Sequence, residues 1–312
     1  MTVAVLTYRR PDRLAAALKA LLPHVSAAGA GLLVVDNDTT DSARPVVDRV
    51  TSGRADVRYV HEPRPGIAAA RNRALDEVTA AGGRLIVFVD DDETPGEGWL
   101  VTLLAAHEAY GGTGVAGPAV PQLPARDPWI EAGGFFARQR HPSGSRIKVA
   151  ASNNLLLDVR WLAAQGIRFD EEFGLTGGSD TMLTLQITAA GGALYWCDEA
   201  FVDDPVPAGR FTRRWVLRRA YRVGNCTVRA GVQLAGSARR RLVARLRGFG
   251  AGVVRVAGGL ARAGLGLVLG SGSARGIRTA ARGAGMIAGS AGLVYTEYAR
   301  AARPRPLVGA SP

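Results

Sequence analysis

Leu85-Ile86-Val87-Phe88-Val89 runs directly into Asp90-Asp91-Asp92-Glu93. An unbroken apolar run rich in β-branched residues reads as a strand buried on both faces, the kind found in parallel sheets. The acids that follow cannot share that burial, so the strand ends there with carboxylates crowded at its carboxyl end. In a parallel α/β sheet the ligand site lies beyond those carboxyl ends. Three adjacent aspartates repel one another unless a cation sits between them. Hard divalent ions take carboxylate oxygens and keep further positions for phosphate. A helix cap or a solvated turn is the plain alternative.

Outward from this stretch, residues 3–6, 32–35 and 57–60 repeat the short apolar pattern, and residues 12–22, 40–50 and 66–79 between them have helical periodicity. Pro11 suits a first helical turn, and Asp38 to Asp41 offer N-cap candidates. Strand–helix alternation of this kind gives an α/β fold, a mostly parallel sheet with helices on both faces. A helix over 99–110 and a strand near 113–120 follow. Residues 121–144 are rich in Pro and Gly, show little periodicity and read as a loop or lid over a site. Strands at 151–157, 193–197 and 201–202 and a helix near 179–190 continue the fold. From Phe211 the chain turns wholly helical and basic.

The 312 residues are 47% hydrophobic and 21% charged, which excludes a disordered or fibrous chain. Its 40 Gly and 16 Pro follow no period, so collagen-like and repeat architectures are excluded too. Cys197 and Cys226 form no CxxC and no Cys/His cluster; this argues against a disulfide framework or structural zinc and suits a reducing compartment. The net charge of +12 is uneven: residues 1–204 carry 19 Lys+Arg against 26 Asp+Glu (−7), and residues 205–312 carry 20 Arg against Glu297 alone (+19). An acidic front suits a cation site and a basic tail suits an anionic surface. No nucleic-acid-binding motif stands in that tail, so nucleic acid is not an expected partner.

The apolar run at 3–6 is too short for a signal-peptide core, and the expected location is cytoplasmic. Residues 248–295 are apolar and Gly/Ala-rich, but Arg255, Arg262, Arg275, Arg278 and Arg282 interrupt them. The longest charge-free stretch, 283–296, has 14 residues, against about 20 for a membrane span. An interfacial segment, peripheral on the inner face of the cell membrane, is the expectation. Arg214, Arg218 and Arg222 share one helix face and suit either a phosphate-bearing acceptor, an anionic membrane or plain solvent.

Taken together, Thr7-Tyr8-Arg9-Arg10-Pro11, Val35-Asp36-Asn37-Asp38, Ala70-Arg71-Asn72, Asp90-Asp91-Asp92-Glu93-Thr94, Gly177-Gly178-Ser179-Asp180-Thr181 and Asp204-Pro205-Val206-Pro207 make the chain similar to the family 2 glycosyltransferases of the GT-A fold. Within that family the likeness is to bacterial succinoglycan-type β-1,4-glucosyltransferases, over roughly residues 2–230. The resemblance implies a Rossmann-like GT-A domain over 1–208, with a nucleotide-sugar half to about 120 and an acceptor half from 121. A basic helical, membrane-associating extension would cover 209–312.

It also implies roles. Thr7, Tyr8 and Arg10 would line the nucleotide, with Asp36 accepting from the base edge and Arg71 near the phosphates. Asp90 would contact the ribose or a metal-bound water, and Asp91 would join it in binding the nucleotide sugar. Asp92 would hold Mg²⁺ or Mn²⁺ on the diphosphate, where a divalent ion neutralises the leaving charge. Asp180 would be the catalytic base of an inverting transfer, taking the acceptor proton. Read without the resemblance, Asp36 is an N-cap of the next helix, Arg71 a surface arginine and Asp180 a capping residue.

Two departures stand out. Ser179-Asp180-Thr181-Met182 replaces the family's Glu-Asp-Thr-Asp, and Asp203 stands where relatives often have histidine, offering a hard oxygen to the metal. The resulting expectation is a hexosyltransferase moving glucose from UDP-glucose to a glycan or lipid-linked saccharide in exopolysaccharide or envelope biosynthesis. The alternatives are a transferase tailoring a small secondary metabolite and a catalytically impaired membrane scaffold. A nucleotidyltransferase is disfavoured, because no Gly-rich phosphate loop follows the first strand.

Overall fold

The computed structural model describes residues 1–270 and 272–295. The end of the expected extension, residues 296–312 with Glu297, lies outside the described residues. The first half alternates β1 (Thr2–Thr7), α1 (Pro11–Ala27), β2 (Gly31–Asp36), α2 (Arg44–Thr51), β3 (Val57–His61), α3 (Ile67–Ala80) and β4 (Leu85–Asp90). Then come β5 (Thr94–Pro95), α4 (Trp99–Tyr110), β6 (Gly114–Ala116), β7 (Ala119–Gln122), α5 (Pro128–Gly133), β8 (Arg146–Ile147), β9 (Asn154–Asp158), α6 (Val159–Ala164), α7 (Ser179–Ala189), β10 (Leu194–Trp196) and β11 (Val202–Pro205).

Eight strands form one sheet in the order β3-β2-β1-β4-β9-β6-β10-β8, and β5-β11-β7 form a second, small one. β3, β2, β1 and β4 run parallel; β9 is antiparallel to both β4 and β6. Strand residues alternate between two cores, as the two-residue repeat of a strand demands. Val3, Val5, Val34, Val87 and Val89 pack beneath α1, α2 and α4, whereas Ala4, Leu33, Ile86 and Phe88 pack against α3, α6 and α7. Both faces of the sheet are covered, so the strands could be apolar throughout.

Two expected elements differ for local reasons. The second helix begins at Arg44 rather than 40, because the Asp36 carboxylate holds the Ala43 N–H at 2.7 Å and the chain bends before it can coil. The strand expected over 113–120 breaks into β6 and β7, which join different sheets. Gly117 and Pro118 lie at the break; a Cβ on Gly117 would collide with the Ala200 carbonyl, and Pro118 has no N–H for a ladder.

Three helices close the described chain: α8 (Arg213–Gln233), α9 (Ala238–Val268) and α10 (Ala274–Ser290). α10 packs along both α8 and α9, and glycines make the seams. A Cβ at Gly285 would collide with the Tyr221 carbonyl of α8, and Gly252, Gly259, Gly276 and Gly283 bring α9 and α10 to backbone contact in the same way. Much of the 283–296 stretch is therefore interior to this bundle: Gly283, Gly285, Met286, Ala288 and Gly289 are buried. The exposed apolar surface lies instead on α9, where Leu246, Val253, Leu260 and Leu267 recur at seven-residue spacing on one face. By length and composition α9 is the one described helix long and apolar enough to cross a membrane.

Candidate active site

The carboxyl ends of β1 and β4 open into a cavity of about 630 Å³. Register sets this rim: Leu6 of β1 lies beside Asp90 of β4, so the turns after both strands emerge together. Of the residues singled out in the sequence, Thr7, Tyr8, Arg10, Arg71, Asp90, Asp91, Asp92 and Asp180 all line the cavity.

The rim is internally bonded. Thr7 Oγ1 donates to Asp91 at 2.8 Å, and Arg10 reaches Asp91 at 3.2 Å and Asp92 at 3.4 Å. Arg13 of α1 adds a 2.7 Å ion pair to Asp92. Asp90 differs. Among the described residues no side chain hydrogen-bonds its carboxylate, and burial pushes it up to about 6; Arg71 opposes the shift, while Asp92, Asp91 and Asp204 reinforce it. Burial also raises Asp91, against the Thr7 hydroxyl and Arg10. Glu93 turns inward beneath them: its carboxylate accepts the Asp90 N–H at 3.1 Å and the Asn153 amide, and burial holds it well above the usual carboxylate range.

Among the described residues, no group of three His, Cys, Asp or Glu side chains is gathered so as to hold a metal ion. Asp90, Asp92 and Asp204 each put carboxylate oxygens on the open cavity, with Asp92 ion-paired to Arg10 and Arg13 and Asp204 to Arg138. Carboxylate oxygens are the chemistry a hard divalent ion takes when phosphate and water supply its remaining ligands.

Asp180 sits in the first turn of α7, but Gly178, not Asp180, is the N-cap. One Asp180 oxygen accepts the Thr181 N–H at 2.8 Å. Gly177 and Gly178 both have positive φ, which glycine adopts without strain, and Cys226 of α8 donates to the Gly177 carbonyl at 3.2 Å. The two departures around Asp180 acquire roles here. Ser179 Oγ accepts from Arg71 at 2.9 Å, and Met182 is buried with Phe173 and Ala230, joining α7 to α8. An aspartate in place of Met182 would bury a charge in that apolar contact.

Asp36 and Asp203 do not reach the cavity. Asp36 is fully buried; its oxygens accept the N–H of Asp38 and of Ala43 and the hydroxyl of Tyr59 at 2.9 Å. These three bonds tie Asp36 to the β2–α2 turn and to β3, and it does not line the cavity. Asp203 pairs with the Gln122 amide, and the alternation of β11 delivers Asp204 to the cavity in its place. Asp204 is ion-paired there with Arg138.

Of the far part of the lining, sequence reasoning singled out Arg222 and the 121–144 segment as a whole, but not Arg210 or Arg219. Phe136 and Arg138 come from the 121–144 segment, and Arg210, Trp215, Arg219 and Arg222 from α8 and the residues before it. The boundary at 208 therefore does not separate the cavity from the helices. α10 also steadies the 121–144 segment: Arg275 and Arg278 donate to the carbonyls of Ala132 at 2.9 Å and Gly133 at 2.8 Å, where α5 ends. On the expected basic face, Arg214 and Arg218 are exposed and only Arg222 enters the cavity.

A mixed sheet open at its parallel strand ends, a small second sheet beside it and an acidic rim over a nucleotide-sized cavity define a GT-A glycosyltransferase. Comparison with known proteins agrees: residues 2–164 match the glycosyl transferase family 2 model, and the chain belongs to that family. It is 34% identical over 226 residues to the succinoglycan biosynthesis protein ExoM of Rhizobium meliloti (strain 1021), covering 71% of this chain and 72% of that one. Solved structures share the fold at low identity. A mannosyltransferase of Pyrobaculum calidifontis, PcManGT, in complex with GDP-Man and Mn²⁺, superposes with a TM-score of 0.60 at 17% identity, over 90% of this chain and 85% of that one. GalNAc-T7, with UDP, GalNAc and Mn²⁺, gives 0.55 at 11% identity, over 73% of this chain and 50% of that one. S. aureus TarS gives 0.50 at 15% identity, over 78% of this chain and 47% of that one. The chain thus spans about half the length of these last two proteins.

Proposed function

We propose that this glycosyltransferase moves a hexose, with inversion, from a nucleotide sugar to a saccharide acceptor in exopolysaccharide synthesis, with glucose from UDP-glucose as the leading donor. The observation that carries the reading is the single cavity that gathers Asp90, Asp92 and Asp180 with Thr7, Tyr8 and Arg71. The likeness to a succinoglycan biosynthesis protein supports the pathway, and the Mn²⁺ complexes of structural neighbours support a divalent cofactor, Mn²⁺ or Mg²⁺.

In this reading Asp92, with Asp90 and Asp204 near it, would hold the ion, which when bound neutralises charge on the departing diphosphate. Thr7, Tyr8 and Arg10 orient the nucleotide. Arg71, fixed by Ser179 and lying over the Phe169 ring at 5.3 Å, faces the phosphates. Asp180 takes the acceptor hydroxyl proton as that oxygen attacks the anomeric carbon from the face opposite the leaving group. Substrate entry frees no tightly held group at Asp180, whose one oxygen remains outside the Thr181 hydrogen bond.

The acceptor is proposed to be lipid-linked, met at the cytoplasmic leaflet. The apolar face of α9 and the exposed Arg239, Arg240 and Arg247 beside it support peripheral attachment to anionic lipid. A panel of UDP- and GDP-sugars, incubated with Mn²⁺ and anionic vesicles carrying lipid-linked saccharides, tests the whole reading. Sugar incorporation from one UDP-hexose supports it. Incorporation from none, with a properly folded protein, contradicts it.

A further inference from the structure

One wall of the cavity is cationic. Arg138, Arg210, Arg219 and Arg222 line it, and Asp204 on the same wall is ion-paired with Arg138. Arg219 is half-buried between two rings, 5.7 Å from the Phe136 centroid and 5.6 Å from that of Trp215. Among the described residues it has neither a salt bridge nor a hydrogen bond. Arg210 also lies over the Trp215 ring, at 5.9 Å, and among the described residues it makes no salt bridge. Burial lowers the Arg219 guanidinium to about 10, and Arg138 and Arg222 push it the same way.

Holding a guanidinium out of water beside others of its kind destabilises a fold unless an anion completes it. Arginine's planar fork, stacked on aromatic rings and pointing its N–H groups outward, matches phosphate oxygens in pairs. We propose that Arg210, Arg219 and Arg222 form an anion subsite for a phosphate or diphosphate group, across the same cavity from Asp92 of the carboxylate rim. Two sources present that chemistry: the donor's own diphosphate, or a phosphate carried by the acceptor. The inference deepens the proposed function by adding a second phosphate contact to the same cavity, but its test needs no turnover.

Titration of the full chain with inorganic pyrophosphate, in chelator and at low salt, reads the subsite directly. Wild-type protein binds, with affinity falling as salt rises. Arg219→Gln weakens binding on the order of tenfold or more, because charge-assisted contacts are lost, while Arg219→Lys retains part of it. Asp92→Asn, on the rim, leaves it unweakened. Without ligand, Arg219→Gln melts at or above the wild-type temperature, and pyrophosphate raises the wild-type midpoint more than the variant's. Should Arg219→Gln fail to fold, Arg222→Gln carries the same comparison. Wild-type protein that ignores pyrophosphate, or variants that bind it equally well, overturn the subsite.

Repeating the titration with the bound nucleoside diphosphate present separates the sources. Mutual exclusion assigns the subsite to the donor, and binding side by side assigns it to the acceptor. Loss of sugar transfer with pyrophosphate binding intact would instead break the proposed reaction and leave the subsite standing.

Discussion

The strand-end rim and α8, which packs into the bundle with α9 and α10, line one cavity by opposite means. On the rim, carboxylates sit where parallel strands stop, and the sheet's register fixes them: once Leu6 lies beside Asp90, the acids and the Thr7 turn must meet. In the bundle, glycine seams bring helix backbones together, and arginines do the chemical work from helix faces. The rim's charge is concentrated and partly uncompensated, as Asp90 shows. The bundle's charge is divided. Arg210, Arg219 and Arg222 enter the cavity, Arg275, Arg278 and Arg245 satisfy helix-end carbonyls, and Arg239, Arg240 and Arg247 face solvent. A net charge of +19 on paper therefore overstates the surface offered to a membrane.

The contrast can be broken first at the rim. Asp92→Asn should remove metal-dependent turnover, by about a thousandfold or more if the ion carries the leaving charge, with the fold intact because the change is nearly isosteric. Donor turnover with unchanged metal dependence would place the ion elsewhere.

In the bundle the expected effect is on stability rather than rate. Gly285→Val puts a branched side chain against the Tyr221 carbonyl and should destabilise by about 3 kcal/mol. Gly258→Ala, on the open side of α9 with nothing within 4 Å, should stabilise by about 0.5–1 kcal/mol. Thermal melting of both variants checks the pair; equal responses would mean that the glycines are not seams.

A third effect sharpens the electrostatics. Asp90, raised to about 6 in the folded chain, contributes stability that is fully present below its unfolded value near 4 and lost as pH rises through 6. At about 1.4 kcal/mol per pKa unit, metal-free protein should lose about 3 kcal/mol across that window. Asp90→Asn should flatten the loss, measured by denaturant unfolding at pH 4.5 and 7. A variant with the wild-type slope would mean that Asp90 is not the raised carboxylate.

Much of the first half was legible because strands buried on both faces cannot hide in a sequence. Residues 85–93 alone gave a strand, its end and the site beside it, and 99–110 matched α4 to the residue. What stayed hidden was side-chain direction. Asp36 follows a strand as Asp90 does, yet a tyrosine from β3 and an amide seven residues on claim it. Asp203 and Asp204 are chemically alike, and only the pairing of β11 with β7 decides which one turns to the cavity. The α8 wall was read only in part, through Arg222, for another reason. Its arginines sit on a helix that composition assigned to a tail, and nothing in their spacing distinguishes Arg219, under two rings, from exposed Arg218. Met182 illustrates the same limit: an apparent loss of an acid is a contact between α7 and α8.

The central claim is that Asp180, held in the first turn of α7 inside this cavity, is the base of a glycosyl transfer. The direct test is transfer rate and donor affinity together, for wild type and Asp180→Asn, at saturating nucleotide sugar with Mn²⁺. The account predicts donor affinity within a few-fold of wild type and a rate lower by on the order of 10²–10⁴. Transfer by Asp180→Asn at the wild-type rate, or a collapse of donor affinity with the saturated rate preserved, would contradict it.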